Sequence, residues 1–390
     1  MMNGRMLLII TALLIALSAF IFWRFPFTIE PAPDKAFGKT AGQKDDVFSD
    51  VLTGGEAGFA RAIKPRNFSF PEDHGPHNRY RIEWWYFTGN LHDPDGRKFG
   101  YQLTFFRFAL SPHKPASKSA WRSNQLYMAH FTVTDVTEGR FCAAERFSMA
   151  GNGLAGAESG RYHVWLYDWS AEAGETADFP LHLEARNNTN AIDLQLTNQK
   201  PVVLQGDRGL SRKSGEPGNA SYYYSYTRLP TRGTVSIAGR RYAVSGNSWM
   251  DREWSTSSLS KQQAGWDWFA LQFSDNSELM FYRLRRKDGR TDEHSAGSFM
   301  LPDNVKVPLG VRDVVIEAKD TWQSPHSKTV YPSRWRLSVP NRNLTVDIVP
   351  LIGDQELNVS SRYWEGAVSI QGTHNGRAIT GQGYVELTGY

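Results

Sequence analysis

Three acids stand among indole rings in the second half of the chain. Residues 246–255 read GNSWMDREWS and residues 265–272 read GWDWFALQ. Asp251, Glu253 and Asp267 each lie within two residues of a tryptophan, namely Trp249, Trp254, Trp266 or Trp268. A carboxylate resists burial unless it is paired, and tryptophan favours burial with its N–H satisfied. The crowding therefore calls for a chemical or a structural reason. The chemical reason is acid catalysis on carbon. A carboxyl group in apolar surroundings holds its proton to higher pH and can deliver it to an alkene, and ring faces stabilise the cation that follows. Asp251, Glu253 and Asp267 are the candidate catalytic acids on this view. The structural reason is pairing: Arg252, Arg283 and Arg285 can clasp the same acids and make a scaffold of them. An acid facing an enclosed, ring-lined cavity without an arginine partner decides for chemistry; three clasped acids decide against it.

The candidate ligand-binding residues follow from alternation. Read as a strand, residues 246–255 place Trp249, Asp251 and Glu253 on one face, with Ser248, Met250, Arg252 and Trp254 on the other. Trp249, Trp254, Trp266 and Trp268 supply rings. Glu83-Trp84-Trp85-Tyr86 is an earlier counterpart, in which Glu83 and Trp85 share a face with Phe87. Glu83, Trp85 and Tyr86 are expected to line a pocket mouth, or Glu83 to clasp Arg79 or Arg81 on a barrel floor. His130 alternates with Met128 and Thr132, as a polar pocket wall or a hydrogen-bonded core histidine. His74 and His77 flank a Gly-Pro turn and find no further histidines nearby, so no metal is expected. A G-x-S-x-G elbow is missing, which leaves a hydrolase without a nucleophile. The G-x-G-x-x-G at residues 151–156 precedes a strand pattern, not a helix, so no nucleotide cofactor is expected.

Strands must do the positioning. From Glu83 onward, short alternating runs rich in aromatic and β-branched residues recur between turn residues. Residues 83–91 and 99–108 flank Asp93-Pro94-Asp95-Gly96, a hairpin signal. The expected fold is all-β, with two tandem antiparallel barrels whose lumen mixes indoles with acids. A weak internal echo supports two copies: Trp84-Trp85-Tyr86-Phe87 can be laid over Trp266-Asp267-Trp268-Phe269. The boundary is placed near Ser245, giving domains 67–245 and 246–390. Among 390 residues, the 13 tryptophans exclude a disordered chain. The net charge of +4, without a Lys/Arg cluster, argues against nucleic acid as a partner. Cys142 is the lone cysteine, which excludes an internal disulfide. Residues 6–23 carry no charge for 18 residues. Residues 1–24 are read as a membrane anchor, with a cleaved signal peptide as the alternative, and residues 25–66 as a tether.

The motifs have a family resemblance. FPEDHGPHNRYRIEWWYFTGNL (70–91), MAHFTVTD (128–135), GNSWMDREWS, GWDWFALQ, YPSRW (331–335), YWEGAV (363–368) and GYVELTGY (383–390) occur in the order seen in the AttH/CrtC-like family of carotenoid 1,2-hydratase relatives. The resemblance implies tandem lipocalin-like barrels and an extracytoplasmic protein, here on the periplasmic side of the inner membrane. It further implies association with an ABC-type export permease. Some such relatives hydrate isolated double bonds of isoprenoids, and fungal ones guide cyclisation of polyketides. The anchor and the DREWS motif resemble the AttH side. Two functions are thus expected: binding of a hydrophobic ligand, such as a lipid, or a hydratase/cyclase acting on an alkene of such a molecule.

Overall fold

Alternation and turn chemistry build the strands as expected. In the first hairpin, Asp93 Oδ1 accepts the backbone N–H groups of Asp95 (3.0 Å) and Arg97 (2.9 Å), and Gly96 takes a left-handed φ of 84°. The flanking strands Ile82–His92 and Lys98–Ala109 then pair in register along their whole length. The computed structural model describes residues 55–390, apart from 115, 175, 176 and 258. The apolar run at residues 1–24 and most of the tether lie outside the described residues. Among the described residues, no helix is long and apolar enough to cross a membrane.

The described residues form two antiparallel sheets, one of 13 strands and one of 10, each curled around its own apolar core in a lipocalin-like double barrel. The division does not fall near Ser245. The strand Arg240–Ser255 runs unbroken through that point, pairing with Ile82–His92 on one side and Ala220–Ile237 on the other. It belongs wholly to the first sheet. The second sheet begins at the strand Gln263–Phe273. The tryptophan-rich stretch therefore straddles the junction, and residues 256–262 link the barrels.

Period two decides what each strand shows to which side. Trp85 and Phe87, with Met250 and Trp254, fill the first core. Their neighbours Tyr86 and Trp249 join Trp268, Tyr282 and Tyr384 in a separate cluster between the two sheets. Phe269, Leu271 and Phe273 fill the second core. The seam is close: a Cβ on Gly100 would lie 2.8 Å from Ala367 Cβ and 2.9 Å from the Tyr384 hydroxyl. It is also tied by charge. Glu278 of the second sheet takes Lys200 Nζ (2.8 Å) and Arg228 Nε (2.6 Å) from the first sheet's side. A buried acid with two cationic partners holds position rather than reacts.

Candidate active site at the barrel seam

The main cavity lies between the barrels, not inside either lumen as the sequence reading expected. The reason is packing: both barrel interiors are filled by large side chains, whereas two convex sheets meeting at a seam leave space beside their closest contact. The cavity holds about 960 Å³ of empty space, open solvent at its mouth included. Rings from Trp84, Phe106, Tyr223, Trp266, Trp268 and Tyr282 make most of the wall. Its charge comes from Asp251, Glu253, Glu386 and Lys213.

Asp251 projects from Arg240–Ser255 and faces Ser225 directly across the ladder. Its Oδ1 accepts Ser225 Oγ (2.6 Å) and Trp249 Nε1 (2.7 Å), and its Oδ2 accepts the Tyr223 hydroxyl (2.5 Å). Burial pushes its carboxyl up to about 7 against the pull of those three donors. Glu253, two residues on, accepts Ser221 Oγ and pairs with Lys213 Nζ at 3.1 Å. Lys213 lies 4.0 Å from the Tyr282 ring centroid. Burial opposes its charge, but Glu253 and Tyr282 outweigh that and keep the ammonium form above its usual range.

Glu386 comes from the last strand, Arg377–Thr388, and sits opposite Trp268 in the ladder. Its Oε1 accepts the Trp266 indole N–H at 2.9 Å. The group is only half-buried, and the surface it keeps lines the cavity. Burial raises its carboxyl to about 8, opposed by the Trp266 bond and aided by Asp251 and Glu253. Among the described residues, no cation pairs with Asp251 or Glu386 within salt-bridge distance. Behind Glu386, on the paired strand Arg362–His374, Glu365 is fully buried. Its Oε1 accepts the Tyr86 hydroxyl at 2.7 Å and its Oε2 has no partner. Burial and then Glu386 hold its carboxyl well above the usual range.

The sequence-derived candidates separate into two groups. Asp251, Glu253, Tyr86, Trp266 and Trp268 line the cavity, and Trp249 stands just behind it, bonded to Asp251. Asp267 does not. As the residue between Trp266 and Trp268 it points the opposite way, and Arg283 Nε, Arg285 Nε and the Tyr390 hydroxyl hold it at 2.9, 2.9 and 2.8 Å. Glu83, Trp85 and Trp254 also face away, into the first barrel. There Glu83 is clasped by Arg107 and Arg252 rather than by Arg79 or Arg81. Arg252 stacks 3.8 Å from the Trp85 ring, and His77 stacks 3.7 Å from Trp254. His130 lies one layer behind the wall, bonded to Tyr363. Sequence reasoning missed Glu386, Glu365, Lys213 and Tyr223. For Glu386 the signal was its alternation with Tyr384 and Thr388, opposite the apolar Val385 and Leu387.

The raised acids predict a pH dependence of stability. Their folded-state values exceed the unfolded ones, so their contribution is full at low pH and is lost as pH rises through about 7 for Asp251 and about 8 for Glu386. His74, lowered to about 4 by burial, works the other way but only below the unfolded histidine value. The melting temperature of the ligand-free protein should therefore fall between about pH 6.5 and about pH 8.5. Glu386→Gln should flatten that fall, as read by calorimetry at the two pH values.

Two lipocalin-like barrels with an acid- and ring-lined cavity at their seam define the class. Within it, the chain belongs to the AttH-like family, whose sequence profile matches residues 61–390. A crystal structure of an AttH-type protein from Nitrosomonas europaea is similar, with 33% identity, 85% of this chain and 100% of that chain covered, and a TM-score of 0.76. Kievitone hydratase from Nectria haematococca shares the fold at 13% identity, covering 85% of this chain and 97% of its own, with a TM-score of 0.64. CghA, solved with Sch210972, does so at 13% identity over 85% and 96%, with a TM-score of 0.50. Comparison with curated proteins gives no match.

Proposed function

We propose that this chain binds a hydrophobic, alkene-bearing small molecule between its barrels and adds water to it, with Glu386 as the proton donor. One observation carries the reading: the Glu386 carboxyl group faces a ring-lined cavity with a single hydrogen bond and, among the described residues, no cation within salt-bridge distance, and burial favours its protonated form. Asp251 is more deeply buried, but both its oxygens already hold donors. It orders Tyr223 and Trp249 and, by repulsion, helps keep the Glu386 proton in place.

The step balances as a hydration. The Glu386 proton forms a C–H bond as the alkene π bond breaks. The cation left on the adjacent carbon faces Trp266, Trp268 and Tyr223. Water closes the C–O bond and loses a proton, and Glu386 regains one from solvent through the cavity mouth, which returns the site to its starting charge. Kievitone hydratase supports the reading only in that the same fold hosts a hydratase. The uncharged run at residues 6–23 supports a place at the outer face of the inner membrane, where hydrophobic molecules partition.

Native mass spectrometry of the purified full chain tests this. A co-purified hydrophobic molecule is expected. After extraction and incubation with fresh protein in ¹⁸O-labelled water, that molecule should gain the mass of one labelled water. A molecule that is bound and returned unchanged makes the chain a carrier and overturns the enzymatic reading.

A further inference from the structure

Hydration moves one proton from Glu386 to carbon and frees one from the attacking water. Water that attacks away from Glu386 cannot hand its proton straight back, so that proton needs a route out while solvent refills Glu386 at the cavity mouth. The cavity wall offers one. Tyr363 lines the cavity and faces Thr388 across the hairpin that places Glu365 opposite Glu386. Tyr363 and Glu386 are thus diagonal neighbours on one face, their backbones about 7–8 Å apart, and both line the cavity. The Tyr363 hydroxyl lies 2.7 Å from His130 Nδ1, and His130 Nε2 lies 2.9 Å from Glu145 Oε1. The His130 ring has no exposure, whereas the Glu145 side chain is 14% exposed. The three groups therefore join cavity to solvent in hydrogen-bonded contact.

We propose that Tyr363, His130 and Glu145 form this proton path, an inference that rests on the hydratase reading above. Glu145, as a carboxylate, accepts the His130 Nε2–H, which leaves Nδ1 to accept the Tyr363 O–H. The water proton passes to the Tyr363 oxygen as the Tyr363 proton passes to Nδ1. The imidazolium then gives its Nε2 proton to Glu145, which releases it to solvent. No tyrosinate forms, which suits a hydroxyl held well above its usual range by burial and by Glu365 and Glu386. Ser360 fixes the outer end: its Oγ lies 2.5 Å from Glu145 Oε1 and its N–H 3.2 Å from Oε2. Burial works to raise Glu145, and the bonds from His130 and Ser360 outweigh it, keeping the carboxylate ionised. Gln102, 3.4 Å from the Tyr363 oxygen, and the edge of Phe106 complete the surroundings.

The same contacts also bridge the two barrels, so the test must move something that a mere tie would not. The full chain labelled with ¹⁵N-histidine provides it, with Glu145→Gln and Tyr363→Phe as variants. Both preserve shape, and the amide introduced by Glu145→Gln can still accept a bond but cannot carry a proton. The path predicts a neutral His130 with its proton on Nε2, and ring N–H exchange with D₂O that slows in both variants while the melting temperature holds. With the substrate from the preceding experiment, kcat should fall about 100-fold with KM unchanged and with a larger solvent isotope effect. A proton on Nδ1, or exchange unaltered in both variants, overturns the path. The exchange readout needs no substrate. A protein that fails to hydrate but shows the expected exchange keeps the path and loses only the hydratase reading.

Discussion

Glu386→Gln should lose turnover by about 100-fold or more while still holding its ligand. The amide keeps the shape of the side chain and can still accept the Trp266 indole N–H, so the wall is intact. What disappears is the proton. No arginine needs the lost charge, so the variant should melt no lower than the parent near neutral pH. The substitution even removes a group whose ionisation burial opposes. The measurement is paired: conversion of the co-purified molecule, and its retention by native mass spectrometry. Undiminished conversion by Glu386→Gln would move the acid elsewhere, to Asp251 first. Loss of both conversion and binding would make Glu386 a binding group only.

The largest loss of stability is expected at Glu83→Gln. Glu83, Arg107 and Arg252 all have fully buried side chains. Removing the carboxylate strands two guanidinium groups without solvent, a change worth about 3–5 kcal/mol. Asp267→Asn breaks an analogous clasp in the second barrel. There Arg283 and Arg285 keep 19% side-chain exposure, so water relieves part of the cost and the effect should be smaller. Urea denaturation of the three proteins checks the order: parent, then Asp267→Asn, then Glu83→Gln as the least stable. Asp267→Asn should also keep any turnover that survives its lower stability, because Asp267 points away from the cavity. An Asp267 variant that is well folded but inactive would return that residue to the chemistry.

The strands and the two-barrel architecture were legible because period-two alternation is local. So was the shared face of Trp249, Asp251 and Glu253. Which face meets a cavity was not legible, because it depends on how a second sheet, built from strands between Gln263 and Thr388, packs against the first. Trp254 and Trp249 are the same residue type in the same strand, yet one fills a core and the other backs the site. Asp267 obeys the same alternation. If Trp266 and Trp268 face the cavity, the residue between them must face away, and Arg283 and Arg285 wait there. Glu386 hid for the opposite reason. Its strand reads as an ordinary closing element, and nothing nearby in sequence announces that Trp266 will meet it across the ladder.

Because the cavity's walls come from both barrels, a molecule lodged there acts as mortar. Its grip on each sheet adds to the grip of the sheets on one another, and anything that loosens the joint loosens the occupant too. Glu278, clasped by Lys200 and Arg228, touches nothing in the cavity, yet weakening it should lower affinity from a distance. By the same coupling, a thermal-shift screen of hydrophobic compounds reports occupancy directly, before any reaction is known.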